Sequence, residues 1–272
     1  SNSGEYKFLM NKLTLGVKKL IIKSKSNSEE LNFTLLNNKT PEIYDFEIIN
    51  EFSRDKNLYT QGLEFYNDTL YESIGRYGKS KLVKVNFRNG KPYKELKLPS
   101  KYFAEGITIM NNKIYQLTWK ENIGFIYDIN TFNKINSFEY SDSLEGWGIC
   151  NDGVKFYKSD GTEKIWILNA NNLNEERYIE IYTNKNKIIG LNELEWVNGY
   201  IYANRYLRDG IAIINPKNGA IEGVVDLSSL KNKVTQHDEL DVINGIAYNN
   251  KRNSIFVTGK MWDKIFEIRV KK

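Results

Sequence analysis

The chain holds one cysteine, one histidine and four prolines in 272 residues. It has no run of eighteen apolar residues, and neither sign of charge dominates. Each scarcity removes a class of protein. A single thiol, Cys150, forms no internal disulfide, so no disulfide framework holds the fold. One Cys and one His cannot build a structural zinc site. His237 lies in a polar stretch with no sign of serving Cys150 as a base. Cys150 follows an apolar residue and reads as a buried, inert thiol; His237 reads as an exposed loop residue. No stretch is long and apolar enough to cross a membrane as a helix, and no signal peptide opens the sequence. Ser1-Asn2-Ser3-Gly4 has the look of a cloning scar, so a native leader is expected to have been cut away. The 39 basic and 34 acidic residues give +5 and a pI near 8.9. They are interspersed, which describes a solvated surface and no nucleic-acid or membrane patch.

What the chain does have is a repeat. Glycine or asparagine next to a polar residue opens an apolar run at Gln61-Gly62-Leu63, Glu105-Gly106-Ile107, Glu145-Gly146-Trp147, Asn192-Glu193-Leu194 and Asn244-Gly245-Ile246. The openings step by 44, 40, 47 and 52 residues. Each is followed by short β-rich segments separated by turn residues such as Asn67-Asp68, Asn111-Asn112 and Asn198-Gly199. Repeats of four strands at this period predict an all-β, five-bladed β-propeller with four antiparallel strands per blade. The fifth unit is one strand short, and a strand over 43–52 precedes the first. That strand is expected to complete the last blade and close the ring, which removes open sheet edges. Residues 1–40 are expected to be an N-terminal extension, with 13–22 a strand or short helix, and 41–272 the propeller. Residues 231–243 lengthen the fourth step and read as a surface loop.

In a propeller the first strand of each blade lines the axis. Gln61, Glu105, Glu145, Asn192 and Asn244 are therefore expected to converge at one end of the channel. That ring is either a hydrated mouth or a site with a carboxylate proton carrier. Aromatic residues tilt the reading toward a site. Trp119 and Tyr206 each follow a ring residue by 14 positions, Trp262 follows Asn244 by 18, and Trp147 sits inside its own repeat opening. A carboxylate walled by such rings is desolvated, which raises its pKa. Lys260 is either a surface lysine or a charge partner for Glu105. Trp166 and Trp196 lie in apolar runs and read as core.

Read together, Tyr59-Thr-Gln-Gly-Leu-Glu64, Tyr102-Phe-Ala-Glu-Gly-Ile107, Tyr115-Gln-Leu-Thr-Trp-Lys120, Glu145-Gly-Trp-Gly148, Leu191-Asn-Glu-Leu-Glu195 and Val257-Thr-Gly-Lys-Met-Trp262 resemble the plant- and bacterial-type glutaminyl cyclases. These are five-bladed propellers unrelated to the animal zinc enzymes. The resemblance implies a glutaminyl-peptide cyclotransferase: N-terminal glutamine of a peptide or protein becomes pyroglutamate and ammonia leaves, with no cofactor. It places the functional positions at Gln61, Glu105, Trp119, Trp147, Asn192 and Lys260, with Glu105 and Lys260 as the catalytic pair. This chain has Tyr206 where the family has tryptophan, and Ala104 where it usually has glycine. The resemblance also implies a secretory or extracellular setting; a monomer is expected. Two other classes stay open: a metal-dependent, lactonase-like hydrolase using Glu105, Asn192 and Asn244 around Ca²⁺, and a non-catalytic peptide-binding propeller.

Overall fold

The computed structural model describes residues 9–10 and 13–271; the Ser1–Gly4 segment lies outside the described residues. The fold is all-β. The sequence 13–22, open between strand and helix, is a strand: β1 (Gly16–Lys23) pairs antiparallel with β2 (Ser28–Leu35). This largely exposed hairpin is anchored at its base. Leu15 packs with Tyr182 and Ala220, and the Leu15 amide donates to the Asn218 carbonyl at 2.8 Å.

After β3 (Glu42–Ser53) the strands come in groups. The first is β4 (Thr60–Tyr66), β5 (Thr69–Ile74), β6 (Lys81–Val85) and β7 (Pro92–Lys97). The second is β8 (Ala104–Met110), β9 (Lys113–Thr118), β10 (Ile123–Asp128) and β11 (Lys134–Glu139). The third is β12 (Ile149–Asn151), β13 (Phe156–Ser159), β14 (Lys164–Leu168) and β15 (Glu175–Glu180). The fourth is β16 (Leu191–Val197), β17 (Tyr200–Arg205), β18 (Gly210–Ile214) and β19 (Ile221–Asp226). A short helix, α1 (Ser228–Lys231), precedes β20 (Ile243–Asn249), β21 (Ser254–Gly259) and β22 (Lys264–Lys271). Each group is an antiparallel meander. β3 pairs antiparallel with β22 from Ser53↔Lys264 to Asp45↔Lys271, and touches β19 in parallel over Glu42–Tyr44.

Local chemistry explains the meanders. Asn67-Asp68, Asn111-Asn112 and Asn198-Gly199 all have positive φ at both positions, as the tight hairpin turn that matches strand twist requires. Burial falls from the first strand outward: β8 is buried at all seven positions, β11 at one. First strands are therefore mostly buried, with polar groups such as Glu193 and Glu195 among their apolar residues, and outer strands such as β7 and β11 are largely exposed.

Hydrophobic clusters join successive groups. Leu82 shares a cluster with Ile107 and Phe125, Leu117 with Phe156, Ile165 with Ile201, Ile211 with Val257, and Phe256 with Leu63 and Val83. The last group thus packs against the first. Each fully buried Leu, Ile or Phe contributes roughly 1.5–3 kcal/mol. The repeated glycine has a steric cause. A Cβ at Gly148 would lie 2.0 Å from the Asn192 carbonyl oxygen, and one at Gly106 2.7 Å from that of Trp147. The first strands approach each other too closely for any side chain there, and the Gly106 amide donates to the Trp147 carbonyl at 2.7 Å.

The 231–243 segment is not merely a surface loop. Leu230 and Val234 are buried in the core, and half-buried His237 sets Nε2 2.9 Å from the Met261 carbonyl oxygen. The expected exposed histidine instead ties the segment down.

Candidate active site

The loops joining second to third strands, and the entries to the first strands, lie at one end of the groups. There they enclose a cavity of about 230 Å³ lined by Tyr59, Gln61, Phe103, Glu105, Trp119, Trp147, Asn192, Tyr206 and Lys260. The seven side chains singled out from the sequence are all in this wall. Gln61, Glu105, Asn192 and Lys260 are only 3–4% exposed, whereas the rings are half-buried or, for Tyr206, 43% exposed. The polar groups are thus the deep part and the rings the mouth.

The rings form a belt. Phe103 meets Tyr59 and Trp119 edge-on at 6.4 and 5.5 Å, and Trp147 meets Tyr206 at 6.0 Å. Charged groups bridge the gaps. Glu145 Oε2 accepts from both Trp119 Nε1 and Trp147 Nε1, each at 2.7 Å. The Lys260 ammonium lies over the rings of Tyr59 and Tyr206, 4.8 and 5.6 Å from their centroids, a contact worth more where water is scarce.

Within the belt, Gln61 Nε2 donates to Glu105 Oε1 at 2.8 Å. Asn244 stands behind Gln61, outside the cavity wall, donating to Gln61 Oε1 and the Thr60 carbonyl. Asn192 lines the cavity, and its Oδ1 is buried without a protein donor, an acceptor left unsatisfied. Burial pushes the Glu105 carboxyl well above the usual range. Lys260 opposes this, while Glu145 and Glu121 add to it. Burial lowers the Lys260 ammonium, with Glu105 and Asp241 opposing. The cavity therefore holds a partly desolvated carboxyl beside a cation, a set suited to moving a proton and steadying developing charge.

Some tryptophans go elsewhere. Trp262 does not join the aromatic pocket: it is fully buried against Phe266, its Nε1 donating to the Asp241 carbonyl. Met261, at φ 62°, turns the chain between Lys260 and Trp262, so the two side chains part company. Trp166 is in the core and half-buried Trp196 stacks on Tyr157. Cys150 is buried, and burial raises its thiol well above the ordinary value. Two wall residues were missed, Tyr59 and Phe103. Both stand two positions before a chosen residue, Gln61 and Glu105, and the period of a strand puts such pairs on one face. Glu145 and Trp147 have the same relation.

A buried carboxylate and ammonium share one cavity of this all-β chain, an arrangement that suits acid–base chemistry. The comparisons narrow it. A sequence model of the family described as glutamine cyclotransferase matches residues 17–270. The glutaminyl-peptide cyclotransferase of Arabidopsis thaliana is 37% identical over 234 residues, 85% of this chain and 72% of that protein. Myxococcus xanthus glutaminyl cyclase matches with a TM-score of 0.79 and 30% identity, over 85% of this chain and 98% of that one. The chain belongs to the glutamine cyclotransferase family.

Proposed function

We propose that the chain is a glutaminyl-peptide cyclotransferase acting on N-terminal glutamine of peptides or proteins, with Glu105 as proton carrier. The observation that carries the catalytic assignment is the Glu105 carboxyl, buried in the cavity beside Lys260 and hydrogen-bonded by Gln61. The substrate's α-amine nitrogen attacks its own γ-carboxamide carbon. A ring C–N bond forms, the bond to the amide nitrogen breaks, and ammonia departs. One proton must pass from the attacking to the leaving nitrogen. Glu105 takes it from the amine and returns it to the departing group. Its raised pKa brings acid and base strength closer to balance near neutral pH. Gln61 orients the carboxylate, and Asn192 hydrogen-bonds the substrate from the cavity wall. Lys260 bears part of the charge developing on the carbonyl oxygen. The aromatic belt holds the side chain folded back and excludes water, so the tethered amine reacts without a second reactant.

The architecture proposed with this is a five-bladed propeller over 41–272, closed by β3 beside β22, with 1–40 as an extension. The β3–β22 ladder and the packing of the last group on the first support it. The test is mass spectrometry of a Gln-initiated peptide, which should lose one ammonia. The same peptide with an acetylated amine should not react. Cyclisation should survive exhaustive chelation, whereas the activity of a lactonase-like hydrolase should not.

A further inference from the structure

The reaction cavity, at about 230 Å³, takes one glutamine residue, so the rest of a peptide substrate must lie outside it. A second cavity of about 500 Å³ adjoins it, sharing the Trp147 indole as a party wall. Its lining includes Asp142, Leu144, Glu145, Asp160, Lys164 and Trp166. It opens on the same end of the fold, because the Asp160–Thr162 turn joins β13 to β14 just as the Trp119 and Tyr206 turns join their own strands. Resting on the cyclase reading above, we propose that this second cavity binds the residues that follow the cyclising glutamine, and that it favours a lysine or arginine side chain there.

The chemistry of the wall points to a cation with a long apolar stem. Leu144 is 87% exposed, an apolar surface at the lip that a methylene stem would cover. Three carboxylates face one ammonium. Asp160 Oδ2 accepts from Trp166 Nε1 at 2.7 Å and Oδ1 from Thr162, which fixes the group while leaving lone pairs free. Asp142 is exposed, its one side-chain partner being Ser141 at 3.3 Å. Glu145 holds the two indoles, with Lys120 3.9 Å away. Lys164 lies over Trp166 and Tyr178, 5.1 and 4.3 Å from their centroids.

The other flank is strapped. A cavity of about 400 Å³ beyond Tyr59 has Arg76, Lys79, Lys81 and Lys97 in its lining against one carboxylate, Asp55. Arg76 covers the Tyr59 ring at 4.6 Å and reaches Glu239 at 3.5 Å, and the Tyr59 hydroxyl donates to Asp241 at 2.9 Å. A chain leaving that way would have to break this contact set and would meet positive charge.

The test compares kcat/KM for Gln-Lys-Ala, Gln-Ala-Lys, Gln-Glu-Ala and Gln-Ala-Glu amides, with glutamine amide as the short control. Lysine at the second or third position should exceed glutamate there by about fivefold or more, as several partly exposed charges acting together allow. The preference should shrink as ionic strength rises. Asp142→Asn should cut the lysine preference about twofold or more and leave glutamine amide unchanged. Equal rates at both positions, a preference for glutamate, or a lysine preference indifferent to Asp142→Asn would each overturn the assignment. Failure of the wild type to cyclise glutamine amide would instead overturn the underlying activity.

Discussion

Glu145 is the residue whose removal tests the geometry of the belt. One of its oxygens accepts from two indoles at 2.7 Å each. Hydrogen bonds to a charged group contribute about 1.5–3 kcal/mol each, and the lower figure suits a side chain 28% exposed. Glu145→Ala therefore forfeits about 3 kcal/mol of positioning, or about a hundredfold in kcat/KM if the bonds persist into the transition state. Glu145→Gln keeps an acceptor but loses its charge, and about a tenfold loss is expected. Glu145 also helps lift Glu105, so in either variant the limb of the pH profile that Glu105 controls should move to lower pH. The assay is steady-state ammonia release from a Gln-initiated peptide across pH, with tryptophan emission reporting the freed indoles. Both variants within about threefold of wild type, with unmoved profiles, would refute the idea that this carboxylate holds the pocket's shape.

Other outcomes follow from the same contacts. Lys260→Met removes the cation that opposes the rise of Glu105, so the Glu105-controlled limb should shift to higher pH as kcat falls; a profile moving the other way would contradict the pairing. Asn192→Ala deletes a polar group of the cavity wall and should cost about 10–100-fold in kcat/KM, with thermal stability, followed by circular dichroism, little changed. Lys158 and Glu175 form an ion pair with both side chains at most 1% exposed. Lys158→Met should cost about 3–5 kcal/mol in urea unfolding, because it strands a buried carboxylate. In the wild type, Lys158 and hydrogen bonds from Ser143 and Asp142 outweigh burial and hold the Glu175 carboxyl down at about 2. The folded pKa lies below the unfolded one, so this stabilisation is present above the ordinary carboxylate range and disappears as pH falls toward 2. Acid unfolding of Glu175→Gln should show a shallower loss over that window.

Much of the fold was legible because its devices are local. Asn-Asp, Asn-Asn and Asn-Gly turns announce tight hairpins, and the glycines at 62 and 106 mark a backbone approach that admits no Cβ. Three of the four deep residues, Gln61, Glu105 and Asn192, were legible for the same reason, since they begin first strands, whereas Lys260 follows a second strand. Less legible was anything that depends on direction after an irregular step. Trp119 and Trp262 both follow a second strand, yet the left-handed Met261 turns Trp262 into the core. The hairpin at 16–35 gives a weak signal because most of its side chains face solvent. Glu145 looked like one polar copy among several; its grip on two indoles depends on two loops meeting, which spacing within one repeat does not encode. Tyr59 and Phe103 were readable by alternation from Gln61 and Glu105.

The account turns on Glu105. A paired measurement addresses it most directly: ammonia release from one Gln-initiated peptide by the wild type and by Glu105→Gln, with folding checked by circular dichroism. A wild type that cyclises the peptide, and a folded variant slower by about 10²–10⁴-fold, is the result predicted for loss of a general acid–base group. A folded Glu105→Gln protein that cyclises at near wild-type rate would contradict it.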